Sequence, residues 1–220
     1  MEINLIKEKA EKFDAFYSLL KEENEKYNLT AITEKEEVYL KHFIDSLKAV
    51  DKFGKLSTVI EIGSGAGFPS IPLMIVREDL KFTLLESSNK KCNFLLKAKK
   101  LLGLNCEIVC GRAEEYALKK EFREVFDFST ARAVARLNTL CEYSLPFVKV
   151  GGKFIAYKGD ADEELKEAEN AIELLGGKVV SADKYFLGED MKREIIEIEK
   201  VKKTPPIYPR GRGLERKNPL

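Results

Sequence analysis

Apolar residues Ile3, Ile6, Ala10, Phe13, Phe16, Tyr17 and Leu20 recur at three- and four-residue steps, the period of a helix with one buried face. They predict an amphipathic first helix reaching about residue 26 and packed on the core. A short connector, Asn28-Leu29-Thr30-Ala31-Ile32, follows. Thr33 stands three residues before Glu36, a capping-box spacing that predicts a second helix with Val38, Phe43, Leu47 and Val50 on one face. From residue 58 the period changes. Short apolar runs at 59–62, 81–86, 107–110, 125–129 and 153–158 read as strands. Helical patterns at 69–76, 90–102, 114–124, 137–148 and 162–175 alternate with them. Gly103 closes the second of these, Pro146 interrupts the fourth, and Gly176-Gly177 stops the last. Gly151-Gly152 turns into strand five. Two further strands, 178–186 and 193–201, flank a hairpin turn at Gly188-Glu189-Asp190.

This alternation predicts an α/β fold: a doubly wound, mostly parallel sheet of seven strands with an antiparallel terminal hairpin. A single domain is expected, with a helical extension over 1–53, a core over 54–201 and a basic tail over 202–220. Ligands of such sheets sit outside the carboxyl ends of the strands. That rule selects Glu61 to Gly63, Glu86, Arg112-Ala113-Glu114 and Arg132 as candidate site residues.

The first strand stops at Gly63-Ser64-Gly65-Ala66-Gly67, and a helical pattern begins at Pro69. Strand, glycine turn, helix is the layout of a nucleotide-binding βα unit. A dinucleotide fingerprint places its third glycine one position later, where this chain has Phe68. The loop instead resembles motif I of class I S-adenosylmethionine (SAM) methyltransferases, in which it wraps the methionine half of SAM. Glu86 lies 23 residues after Gly63, where an acid can accept hydrogen bonds from both ribose hydroxyls. Ala113 and Glu114 stand where a small side chain and backbone can frame an adenine ring. Arg132 is placed to touch SAM or a substrate phosphate, or to serve as a buried structural cation.

Composition narrows the classes. No apolar run approaches the ~20 residues of a membrane span, and the amino-terminal residues carry no signal pattern, so a cytoplasmic, non-membrane protein is expected. Net charge is +1, yet 202–220 holds six basic residues against Glu215 alone. That end is either a phosphate-facing patch or a solvated tail. Four cysteines, at 92, 106, 110 and 141, form no zinc pattern and read as buried free thiols. No metal site is expected.

The single histidine, His42, sits on the second helix with Asp45 one turn on, so no Ser-His-Asp set is suggested. No H-E-x-x-H, no Pro-Cys after strand four and no Asn/Asp-Pro-Pro-aromatic motif occurs. Metal hydrolysis, covalent attack on cytosine and exocyclic-amine methylation all lose support. A nucleophile needing little activation remains. Guanine N7 has an exposed lone pair and no proton to remove, so positioning supplies much of the catalysis.

Several segments follow one another in order: Asn28-Leu29-Thr30, His42-Phe43-Ile44-Asp45-Ser46-Leu47, the glycine loop, Thr83-Leu84-Leu85-Glu86-Ser87, Arg112-Ala113-Glu114-Glu115, Ala131-Arg132-Ala133-Val134-Ala135, Tyr157-Lys158-Gly159, and the ending from Pro209-Arg210 to Leu220. Together they closely resemble the RsmG (GidB) family of bacterial methyltransferases. The resemblance implies a class I Rossmann-like fold, SAM as methyl donor with S-adenosylhomocysteine as product, and transfer to N7 of one guanine of 16S rRNA in the small ribosomal subunit by a monomer. It implies cofactor contacts at Gly63, Gly65, Phe68, Glu86, Ala113, Glu114 and Arg132, RNA contacts at His42, Lys158 and Arg210, and no dedicated catalytic residue. Many relatives have Asp where strand one here ends in Glu61, and the ending often carries Pro where this chain has Glu215. Open alternatives are methylation of a small molecule or protein, or a SAM- and RNA-binding module without turnover.

Overall fold

A computed structural model describes residues Met1 to Leu220. The strands are β1 (Thr58–Ile62), β2 (Lys81–Glu86), β3 (Cys106–Cys110), β4 (Phe126–Arg132), β5 (Val148–Lys158), β6 (Gly177–Leu187) and β7 (Met191–Lys200). They form one sheet in the order β3-β2-β1-β4-β5-β7-β6. Only β7 runs against the rest, pairing antiparallel with β5 and β6. The order reverses between β1 and β4, the switch point where such sheets hold ligands.

Helices are α1 (Glu2–Glu8), α2 (Ala10–Tyr27), α3 (Lys35–Val38), α4 (Asp45–Leu47), α5 (Ser70–Val76), α6 (Asn89–Leu102), α7 (Ala113–Tyr116), α8 (Leu137–Ser144), α9 (Asp162–Glu167), α10 (Glu169–Leu174) and α11 (Leu214–Lys217). Alternation of β1 side chains divides the core. Val59 joins Phe13, Phe16, Phe43, Phe68 and Phe94 beneath α2 and α6. Ile60 and Ile62 join Leu140, Phe147, Phe154 and Ile172 beneath α8 and α10. The amino-terminal helices thus share a continuous core with one sheet face. No helix is long and apolar enough to cross a membrane.

Several sequence expectations need correction. The first helix breaks at Lys9, whose φ of −119° lies outside helical geometry. The expected capping box is not formed: Glu34 is the N-cap of α3 and no side chain caps it. Between α3 and α4 the chain widens into a π-helical section, Tyr39–Ile44, which carries His42. The 114–124 stretch has only one helical turn, α7, before irregular turns. Gly151-Gly152 lies inside a longer β5, beside a register shift against β4.

Cys92 and Cys110 are joined in a disulfide, and only Cys106 and Cys141 are free. The return of α6 onto β3 brings the two Cα atoms to 6.2 Å, although 18 residues separate them in sequence.

The carboxy-terminal segment is no free tail. Arg123 donates to the carbonyls of Thr204, Pro205 and Tyr208. Thr204 is buried between Lys200 and the Leu175 carbonyl. Arg210 grips the fully buried Glu142 of α8 through Nη2 at 2.7 Å and Nε at 3.0 Å. Glu215, also fully buried, accepts from the Gly211 amide, and its carbonyl accepts the Thr139 hydroxyl at 2.8 Å.

Candidate functional site

The glycine turn is pinned from beneath by β2. Gly63 and Ser64 donate their amides to the Leu85 carbonyl at 2.8 and 3.2 Å. Glu86 is buried, and its two oxygens accept from Gly65 N–H and Ser88 N–H, both at 2.8 Å. The acid at the end of β2 therefore welds the two loops that follow β1 and β2. Each oxygen retains a further lone pair for a ligand. Gly63 has φ +67°, and a Cβ there would lie 2.8 Å from Val134 Cγ2. Only glycine keeps that wall as bare backbone.

A cleft opens outside these strand ends, lined among others by Gly63, Ser87, Arg112, Ala113, Glu114, Tyr143 and Arg216. It continues into a wider, open space where Arg210, Arg212 and Arg216 of the carboxy-terminal segment face Arg112, Glu114 and Tyr143. Of the expected cofactor residues, Gly63, Ala113 and Glu114 line the cleft. Gly65, Phe68, Glu86 and Arg132 stand behind it. Arg112 was a strand-end candidate without an assigned cofactor contact, and Tyr143 and Arg216 were absent from the expected set. Arg112 was legible as the end of strand three, whereas Tyr143 and Arg216 come from distant parts of the chain that only the fold brings together.

Behind the loop lies a polar network. Phe68 is buried, with the His42 ring stacked on it at 4.4 Å and the Arg132 guanidinium 5.0 Å from its centroid. Arg132 donates to Asp45 Oδ2 at 2.9 Å, to the Lys41 carbonyl at 3.2 Å and to His42 Nδ1 at 3.0 Å. Guanidinium has no acceptor, so Nδ1 must accept and the imidazole proton resides on Nε2. That proton points to Thr30 Oγ1 at 2.9 Å, which also accepts the Ile32 amide. Burial, reinforced by the charge of Arg132, pushes the His42 pKa down to about 3. Tyr185 donates its hydroxyl to Asp45 Oδ1 at 2.8 Å.

The residues expected at the RNA face are engaged within the protein. His42 is locked as described. Lys158 donates to the Ala135 carbonyl at 2.9 Å and pairs with Glu164 at 2.6 Å, fixing the loop after β4. Arg210 holds Glu142. The exposed cations nearest the cleft are Arg112, Arg212 and Arg216.

Glu61, next to last in β1, is fully buried; no hydrogen bond of good geometry reaches its carboxylate, and Ser70 and Ser64 beside it offset the cost of burial only in part. Burial pushes its carboxyl up to about 8. A buried acid short of full hydrogen bonding beside a ligand loop suits a ligand carrying an ammonium group. Together with the bare backbone at Gly63 and the small side chain at Ala113, it fits an amino-acid-bearing nucleoside such as SAM.

The strand order, glycine turn and cleft define a class I methyltransferase. Among solved structures, a SAM-dependent methyltransferase from Aquifex aeolicus matches with a TM-score of 0.57 over 76% of this chain and 94% of its own, at 18% identity. TYW2 of M. jannaschii, solved in complex with AdoMet, matches at 0.56 over 72% and 76%, at 14% identity. At such identities the likeness is one of fold. The model of the GidB family, described as rRNA small subunit methyltransferase G, matches residues 9–195. A curated ribosomal RNA small subunit methyltransferase G from Clostridium perfringens (strain 13 / Type A) is 48% identical across 100% of this chain and 93% of its own length. Its namesake from Streptococcus pyogenes serotype M4 is 48% identical across 99% and 94%. The chain belongs to this family, and SAM is its cofactor.

Proposed function

We propose that the protein methylates N7 of one guanine in the 16S rRNA of the small ribosomal subunit, acting as a cytoplasmic monomer. The observation that carries this reading is the whole-length match to relatives named for methylating small-subunit rRNA. The site's chemistry supports the choice of atom. The only histidine spends both ring nitrogens on Arg132 and Thr30 and is held neutral, so it offers no base for a nucleophile that must lose a proton. Guanine N7 carries no proton and needs none removed.

In this reading Gly63, Ala113, Glu114 and Arg112 line the seat of the cofactor, and Glu61 accepts from its ammonium. Glu86, Gly65 and Phe68 hold the loop, with Arg132 fixing Phe68 and His42 in place. SAM, when bound, supplies an electrophilic methyl group on a sulfonium. The protein's own contribution is orientation and exclusion of water. Arg112, Arg212 and Arg216 face the RNA backbone, while Lys158 and Arg210 act by positioning the loops that carry the site.

The test is transfer from labelled SAM to small subunits lacking the modification, and to deproteinised 16S rRNA, with the base mapped by cleavage specific for N7-methylguanine. Label in one guanine at N7 is expected. Label at another atom, or in protein alone, overturns the proposal.

A further inference from the structure

The β6–β7 hairpin carries a recess separate from the cleft. Because β7 is antiparallel to β5, Lys158 at the end of β5 pairs with Glu194 near the start of β7. The hairpin tip therefore projects past the same carboxyl edge that bears the glycine loop. Gly159, Asp160, Lys184, Phe186, Lys192 and Glu194 help to line the recess between the hairpin and the β5–α9 connection. Phe186 is 62% exposed on the edge strand, directly across from Lys192.

Both ammonium groups in the recess are paired, and the Arg193 guanidinium at its wall lies 3.9 Å from Asp45. Lys184 pairs with Asp162 at 2.5 Å and Lys192 with Asp160 at 3.1 Å. A near-balanced site with no free ammonium is a poor phosphate seat. It suits a flat, uncharged group lying on the Phe186 ring. Glu194 on the inner wall is 1% exposed, and its Oε2 has no hydrogen-bond partner. An N–H on the edge of a planar heterocycle would supply the missing donor. A nucleobase presents both the face and the N–H.

The recess is also tied to the methyltransferase site. Tyr185 and Arg193, a cross-strand pair that also lines the recess, approach the Asp45 carboxylate that binds Arg132, at 2.8 and 3.9 Å.

We propose that Phe186 is a stacking platform for an unpaired nucleobase of the substrate strand, with Glu194 meeting the edge of that base. This rests on the reading that RNA is the substrate. The test is steady-state methyl transfer to unmodified small subunits by the wild type, Phe186→Ala and Phe186→Trp. Loss of base–aromatic stacking is expected to raise KM for subunits at least about tenfold in Phe186→Ala, with SAM affinity by calorimetry unchanged. Phe186→Trp, which keeps a stacking face, is expected to restore KM. The chain has no tryptophan, so the indole of Phe186→Trp is a unique fluorophore, and its quenching on rRNA binding is expected as well. A wild-type KM in Phe186→Ala overturns this inference alone. A wild-type protein that binds SAM but methylates no rRNA overturns the reading beneath it.

Discussion

The carboxyl edge of the sheet has two halves built from the same residue types and put to opposite uses. Beneath the amino-terminal helices, His42, Asp45, Arg132 and Tyr185 satisfy one another, and Asp45 is only 3% exposed. Beneath the carboxy-terminal segment, Arg112, Arg212 and Arg216 stand exposed around an open cleft, while Arg210 alone turns inward to Glu142. What separates the halves is the buried acids. A carboxylate deep in the protein demands a partner because desolvation is costly without one. Asp45 and Glu142 claim Arg132 and Arg210. The cations with no buried acid in reach are left for ligands.

The comparison breaks most visibly at Asp45. Asp45→Ala leaves Arg132 without its carboxylate and should lower unfolding stability by about 3 kcal/mol or more, read from urea denaturation. A loss under about 0.5 kcal/mol would mean that the paired half is not a stability element.

A smaller effect appears in pH dependence. His42 is depressed from 6.5 to about 3, so the unfolded chain takes up the proton first, and stability is lost as pH falls from about 6.5 towards 3. Glu61 is raised from 4.5 to about 8, so the folded chain keeps its proton longer, and stability is lost as pH rises from about 4.5 to 8. Between pH 5 and 6.5 the two oppose. Glu61→Gln should remove the second and unmask a loss of up to ~1.4 kcal/mol per pH unit on acidification through that window. Adding His42→Asn should flatten it again. An unchanged profile in Glu61→Gln would contradict the burial-driven shift.

The smallest effects belong to the open half. Arg212→Ala and Arg216→Ala should each change stability by less than about 0.5 kcal/mol. Each should also lower the slope of log affinity for rRNA against log salt by ~0.7–0.9. An unaltered slope would place these cations in solvent rather than on phosphate.

The sheet was readable from the sequence because apolar runs and glycine punctuation are local signals, and the strand-end rule then selected Glu86, Ala113, Glu114 and Arg112 on the edge where the cleft opens. What one dimension hides is where a side chain's partner comes from. His42 and Arg132 are 90 residues apart and share a hydrogen bond. Arg210 reaches Glu142 across 68 residues. Cys92 and Cys110 meet only because α6 folds back on β3. The π-helical turn that aims His42 at Phe68 has no period in the sequence, and the basic ending could be read as a tail because its buried anchors, Glu142 and Glu215, look like ordinary surface acids on paper.

The central claim is that SAM is held in the cleft of the open half. Ala113 lines that cleft and packs on the edge of the core cluster beneath α8 and α10, so Ala113→Trp fills the cleft and its effect on folding has to be read alongside. Calorimetric titration of SAM into this variant, with its unfolding midpoint measured alongside, is the most direct test. A native midpoint with affinity reduced at least about a hundredfold is the expected result. A native midpoint with affinity within about threefold of the wild type would contradict it and move the cofactor elsewhere.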